Sequence, residues 1–161
     1  ANEQHKLSRM KRGSKNYNKQ LLKVQKLHEH IANQRKDFLH KLSREIANSY
    51  DNVCVEDINL RGIASGLRLG KSTNDNGFGM FRNFLEYKLG EQGKLLIRID
   101  RFYPSSKMCS VCGYIKDDLT LEDRIYVCPS CGIVIDRDKN AAINILVEGV
   151  ESCYASLPKA G

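Results

Sequence analysis

Apolar residues in the first fifty positions recur at Leu21, Val24, Leu27, Ile31, Phe38, Leu42 and Ile46, in steps of three, four and seven that keep one helix face apolar. The pattern predicts one helix of about thirty residues, some 45 Å long at ~1.5 Å per residue. A compact core does not need that length, so the helix is expected to cross or flank it. Ahead of it, Lys11-Arg12-Gly13-Ser14-Lys15 has no apolar period and reads as a flexible basic stretch. The period then changes. Asn52-Val53-Cys54-Val55-Glu56-Asp57-Ile58 is short and β-branched, the pattern of a buried strand in which Cys54 is a small core residue. From Arg61 to Gly79, Gly, Ser and Asn accumulate without periodicity, which predicts a mobile loop. Phe81, Phe84, Leu85 and Leu89 share one face of a helix over 81–90 that ends near Gly93, and Lys94 to Asp100 reads as a second strand. Tyr103-Pro104 then turns the chain. A last helix is expected from about Asp138 through Ala141, Ala142, Ile145 and Leu146, with little pattern beyond Gly149.

Composition narrows the class. The 161 residues are about one domain's worth, and 41% hydrophobic content with seven Tyr and five Phe suffices for a core. Charge is uneven: residues 1–50 hold twelve Lys and Arg against four Asp and Glu, while the whole chain is +7, so the other 111 residues sum to −1. Such asymmetry favours a polyanion, and nucleic acid over membrane because no strongly apolar face accompanies the charge. Lys11, Arg12 and Lys15 are the first candidates for phosphate contacts. No apolar run is long enough to span a bilayer and the polar start is no signal peptide, so an intracellular protein is expected. His28, His30 and His40 have no cysteine or carboxylate cluster at ligand spacing and read as ordinary surface or packing histidines.

The strongest chemical signal is a pair of knuckles, Cys109-Ser-Val-Cys112-Gly and Cys128-Pro-Ser-Cys131-Gly, separated by 15 residues. Two residues between each pair let both thiolates face one tetrahedral ion at ~2.3 Å, and the following glycine permits the tight turn. A redox dithiol would need only one such pair beside a thioredoxin-like βαβ pattern, which is absent. Four protein ligands leave the zinc no open position, so its role is structural. Cys54 and Cys153 are isolated thiols.

The acids are less decisive by themselves. Glu56 near a strand's end and Asp138 at the start of a helix suit Mg²⁺, a hard ion that takes oxygen ligands and supports two-metal phosphodiester hydrolysis. Equally, Glu56 reads as an exposed strand-end residue, and Asp136 or Asp138 as a helix cap.

Longer motifs carry a family resemblance. Glu56-Asp57-Ile58-Asn59-Leu60, Phe84-Leu85-Glu86-Tyr87-Lys88, Tyr103 through Gly113, and Asp136-Arg137-Asp138-Lys139-Asn140-Ala141-Ala142-Ile143-Asn144-Ile145 resemble the C-terminal half of TnpB, the OrfB-type protein of insertion sequences, and the run from Asn33 to Ser43 is similar too. The resemblance implies an α/β fold: a partial RuvC-like domain of the RNase H superfamily with an inserted four-cysteine zinc ribbon. Residues 1–50 would form its basic helix, 51–103 a strand–helix–strand segment, 104–134 the ribbon and 135–161 the closing helix and tail. It implies a transposon-encoded endonuclease related to type V CRISPR effectors, in which guide RNA directs DNA cleavage and base pairing reads the sequence. By motif, Glu56 would be the second catalytic carboxylate and Asp138 the third, with Asp136 the nearer rival; Arg137 becomes a phosphate candidate, and Tyr103, Ser105, Ser106 and Lys107 either touch a strand or make a structural turn. This reading needs acids 56 and 138 brought together across eighty-one residues.

The family's first catalytic aspartate, in an Asp-x-Gly motif on a strand ahead of the basic helix, has no counterpart ahead of that helix here. The chain is therefore expected to be a C-terminal portion, to cut DNA poorly or not at all alone, and to contact guide RNA only through the full-length protein. The implied setting is the prokaryotic cytoplasm, at the nucleoid. The alternative is a non-catalytic zinc-ribbon DNA-binding module acting as a transposition accessory. A zinc scaffold that binds only protein is disfavoured by the basic N-terminal segment.

Overall fold

The computed structural model describes residues 2–58, 77–120 and 122–155. A short helix α1, Asn2–Ser8, leads through a turn at Gly13 (φ 83°) into α2, Lys15–Ser49. Ser14 caps α2: its backbone is extended and its Oγ accepts the Tyr17 amide at 3.1 Å. The helix is thus 35 residues long, beyond the expected thirty, and the basic stretch ahead of it is a turn between two helices. It ends where Tyr50 turns extended and returns its amide to the Ile46 carbonyl.

The expected apolar stripe is partly corrected. Val24 is buried, but Leu27, Ile31 and Phe38 are exposed, Phe38 at 61%. Farther along, the buried positions are Leu39, Ser43 and Ala47, four residues apart, with Leu42 and Ile46 half-buried. The reason is the partner. Lys88 of the facing helix is buried there, its Nζ donating to the His40 carbonyl at 2.6 Å and to Ser43 Oγ at 2.8 Å, so the inward face must offer oxygen as well as carbon. Burial holds the Lys88 ammonium below its ordinary pKa. His40 stacks on Phe84 with ring centroids 3.8 Å apart, a packing role.

Strand β1, Asn52–Glu56, pairs in parallel with β2, Leu95–Ile99, in the register Asn52↔Leu95 to Glu56↔Ile99. A parallel pair needs a crossover, and helix α3, Phe78–Gly90, belongs to it. It starts three residues earlier than the periodicity suggested, because Gly77 turns left-handed (φ 69°) just before it. Most of the predicted 61–79 loop lies outside the described residues. The pleat sends alternate side chains to opposite faces. Val53 and Leu96 pack with Ile46 and Phe81 around Ala47, Leu85 and Leu89. On the other face, Cys54 and Ile97 meet Gly149 of the last helix α4, Arg137–Ala155. That helix begins one residue earlier than expected and runs through the supposedly patternless tail to Ala155.

Between β2 and α4 lies the cysteine module, with its own antiparallel pair β3, Ile125–Val127, and β4, Val134–Asp136. Its small core is Cys109, Tyr126 and Cys128, packed by Leu119, Ile133 and Ile135. Strand β4 passes directly into α4, so the insert is bonded to the helix without a linker. Among the described residues no helix is long and apolar enough to cross a membrane.

Candidate metal centre and carboxylate site

The two cysteine knuckles fold by the same rule. In each, the amide of the first cysteine donates to a carbonyl five residues on (Cys109 to Tyr114, 2.8 Å; Cys128 to Ile133, 3.0 Å), and the glycine amide returns to the first cysteine at 3.0 Å. That closure requires left-handed backbone at Gly113 (φ 73°) and Gly132 (φ 77°). All four Sγ atoms then lie within 4.8 Å of one another, and Cys109–Cys131 and Cys112–Cys128 each approach to 3.6 Å. A disulfide would need ~2.05 Å, whereas tetrahedral thiolates at ~2.3 Å from one ion stand at about this separation. Charge makes the same point. Burial pushes the Cys128 thiol up, but the Cys131 and Ser130 amides and neighbouring sulfurs bring it down to about 6. The Ile133 amide pulls Cys131 down, yet burial and the surrounding sulfurs push it up to about 12. Four sulfurs this close suit one divalent cation that takes up their combined negative charge. Tyr126, fully buried, pins both arms by donating to the Lys107 and Tyr114 carbonyls at 3.1 and 3.2 Å.

Two asparagines fasten this module to α4. Asn140 accepts the Ser110 amide at 2.9 Å and donates to the Met108 carbonyl at 2.7 Å. Asn144, one turn on, donates to the Ser105 and Met108 carbonyls at 2.8 and 2.6 Å. Ser105 in turn gives its hydroxyl to Glu56 Oε1 at 2.5 Å. Glu56 is half-buried at the end of β1, beside a groove of about 200 Å³ lined by Val55, Ile58, Phe78, Phe81 and Arg82. Its neighbour Asp57 is held by Arg82 (3.4 Å) and Arg101 (2.8 Å).

The two acids before Asn140 have different places. Asp136 Oδ1 accepts the Lys139 amide at 2.9 Å, the N-cap bond of α4. Asp138 sits in the first turn with its side chain 77% exposed, 3.6 Å from Arg137 Nε. The connection from Glu56 reaches α4 at Asn144, about 9 Å along the axis from Asp138. Among the described residues, the cysteines alone form a group of three or more ligand-type side chains.

The other candidates are placed as follows. Lys11, Arg12 and Lys15 are exposed around the start of α2. Ser105 is buried with its hydroxyl on Glu56, whereas Ser106 is exposed. Lys107 reaches the Asp117 carbonyl at 3.3 Å, Tyr103 donates to Met108 Sδ at 3.9 Å, and Arg137 donates to the Thr120 carbonyl at 3.1 Å. The bonding of Asn140 and Asn144 was not anticipated. Its signal was present: Asn140 and Asn144, four apart around the apolar Ala141-Ala142-Ile143, put amides on one inward face.

Comparison with known proteins fits this arrangement. Residues 1–65 match a family model described as "Probable transposase" (OrfB_IS605), and residues 78–145 match "Cas12f1-like, TNB domain". A "Putative RNA-guided DNA endonuclease" of Streptomyces pristinaespiralis is 40% identical over 150 residues, 93% of this chain and 37% of that protein. A TnpB-like protein of Acanthamoeba polyphaga mimivirus is 33% identical over 137 residues, 81% of this chain and 26% of that protein. A cryo-EM structure of a CRISPR-Cas12f ternary complex superposes with a TM-score of 0.62 at 24% identity, over 97% of this chain and 30% of that one. The fold is therefore a mixed α/β fold shared with that Cas12f chain, with a four-cysteine cluster. Both family models and these relatives support a protein of the TnpB/OrfB type. It spans 26% and 37% of the length of the two relatives described.

Proposed function

We propose that this chain supplies the strand-cutting and strand-holding part of an RNA-guided DNA endonuclease, with residues 1–50, 51–103 and 135–161 building the RuvC-like body and 104–134 a zinc ribbon that contacts DNA. Glu56 and Asp138 are its Mg²⁺ ligands. The observation that carries this is the bond from buried Ser105 to Glu56: it fixes one carboxylate oxygen and leaves the other for a metal. Asp138, whose carboxylate is exposed, is taken as the partner ligand, with Asp136, one oxygen of which caps α4, as the nearer rival. When bound, Mg²⁺ supplies charge stabilisation for the attacking and leaving oxygens. The four cysteines hold Zn²⁺ as a closed structural set.

DNA phosphates meet Lys11, Arg12 and Lys15, whose charges add to the positive end of the α2 dipole, and the ribbon side at Ser106 and Lys107. Guide RNA is held mainly by segments of the kind that make up the rest of the relatives, and the protein works in a prokaryotic cytoplasm, at the nucleoid.

The test uses a protein joining this chain to the preceding segments of its relatives. Loss of an outer-shell partner typically costs about 10–100-fold, so loss of a direct ligand in Glu56→Gln or Asp138→Asn is expected to lower guide-directed cleavage more than about a hundredfold, with binding kept. Asp136→Asn, which preserves the cap, is expected to change little. Undiminished cleavage in Glu56→Gln would leave the non-catalytic DNA-binding module as the reading.

A further inference from the structure

We infer that Ser105, Asn140 and Asn144 are positioning residues through which the zinc ribbon sets the orientation of Glu56. The inference rests on the reading of Glu56 as a metal ligand only for its consequence in catalysis, and on the hydrogen-bond geometry for the coupling itself.

All three side chains are buried: Ser105 is 4% exposed, Asn144 3% and Asn140 0%. Polar groups are costly at such sites unless bonded, and apolar residues would serve if packing were all that was needed. Instead both asparagines bind backbone of the segment 105–110, at the Ser105 and Met108 carbonyls and the Ser110 amide. That segment is further closed by the Lys107 and Met108 amides, both donating to the Pro104 carbonyl. One end of it is Ser105, whose hydroxyl reaches Glu56; the other is Cys109, a member of the thiolate cluster. Bonds at Ser105, Lys107 and Met108 hold the backbone between these two residues, so a displacement of Cys109 is passed to Ser105. The opposite arm of the ribbon runs through β4 into the same helix, so α4 is gripped on both sides. A ribbon attached only for strand binding would need neither the second asparagine bond to Ser105 nor the hydroxyl on the carboxylate.

The experiment follows the side-chain ¹³C resonances of Glu56 by NMR in the zinc-loaded chain, with Glu91, ion-paired to Arg44 of α2, as control. Asn144→Leu is expected to move the Glu56 signal toward its position in Ser105→Ala while Glu91 stays in place and one zinc per chain is retained. Chelating zinc from the unaltered chain is expected to do the same, and to add nothing further in Ser105→Ala. A Glu56 signal that follows Ser105→Ala but ignores both Asn144→Leu and zinc removal reduces the hydroxyl to a local contact and overturns the inference. If Asn144→Leu does not fold, zinc removal decides alone, with the Leu85 and Leu89 amides reporting that the main core survives. Mg²⁺ titration separates the two readings. A shift of Glu56 with Mg²⁺, half-saturating at about tenfold or more higher concentration in Asn144→Leu, supports both; coupling without any Mg²⁺ response keeps the relay and removes Glu56 from the metal site.

Discussion

Gly149 shows how one position can fix the spacing of two layers. A Cβ there would come within 2.5 Å of Cys54 Sγ and 3.0 Å of Cys54 Cβ, on a strand whose position is set by its pairing with β2. The glycine is helical, so its need is for closeness and not for unusual backbone. Gly149→Ala is expected to push α4 away from β1 and cost about 1–3 kcal/mol, seen as a lower Tm. Cys54→Ala in the same chain should recover much of that loss, because the two sites share one contact and their effects are not additive. Full additivity in the double variant would show that the strain lies elsewhere. Burial raises the Cys54 thiol above its ordinary pKa, and the nearby Cys153 thiol adds to the effect, as suits a sulfur that packs.

At the scale of elements, α1 is held on α2 by the Glu3 carboxylate, by the Glu3 carbonyl, which also accepts from Gln20 at 3.0 Å, and by Gln4 against His28 at 2.8 Å. Glu3 accepts from Gln20 and pairs with Lys6 and Lys23, at 2.9, 2.9 and 3.0 Å, and these bonds, that from Gln20 first, lower its pKa to about 2 from an ordinary 4.5. A depressed acid stabilises above its unfolded pKa and loses that contribution as pH falls through the folded value. Docking of α1 should therefore weaken between about pH 4.5 and 2, read as faster exchange of the α1 amides, while Glu3→Gln should flatten that dependence. The elements themselves were largely legible: the change from helical to β-branched pattern located β1, and the cysteine spacing located both knuckles. What was not legible depended on partners far along the chain. Phe38 fits a helical stripe, yet α3 brings Lys88 against the other flank, and no local period announces a buried ammonium. Likewise the sequence offered both Asp136 and Asp138 as caps, and only the Lys139 amide bond shows that Asp136 is the cap.

For the whole molecule, the basic surplus belongs to residues 1–50, whereas the four-cysteine cluster lies between β2 and α4, in a segment fastened to α4 through Asn140. If α2 begins a phosphate track, Lys11, Arg12 and Lys15 each release counterions on binding, and the logarithm of affinity for single-stranded DNA should fall with log salt by about 0.7 per contact. Replacing all three by alanine should then reduce that slope by about two, with fluorescence anisotropy at several salt concentrations as the measurement. Because these residues are exposed around the α2 start and not part of either core, the thermal transition should hardly move, which separates lost contacts from lost structure. A slope unchanged in the triple variant but diminished by Lys107→Ala would place the phosphate track on the ribbon and leave the long helix as a spacer between body and partner.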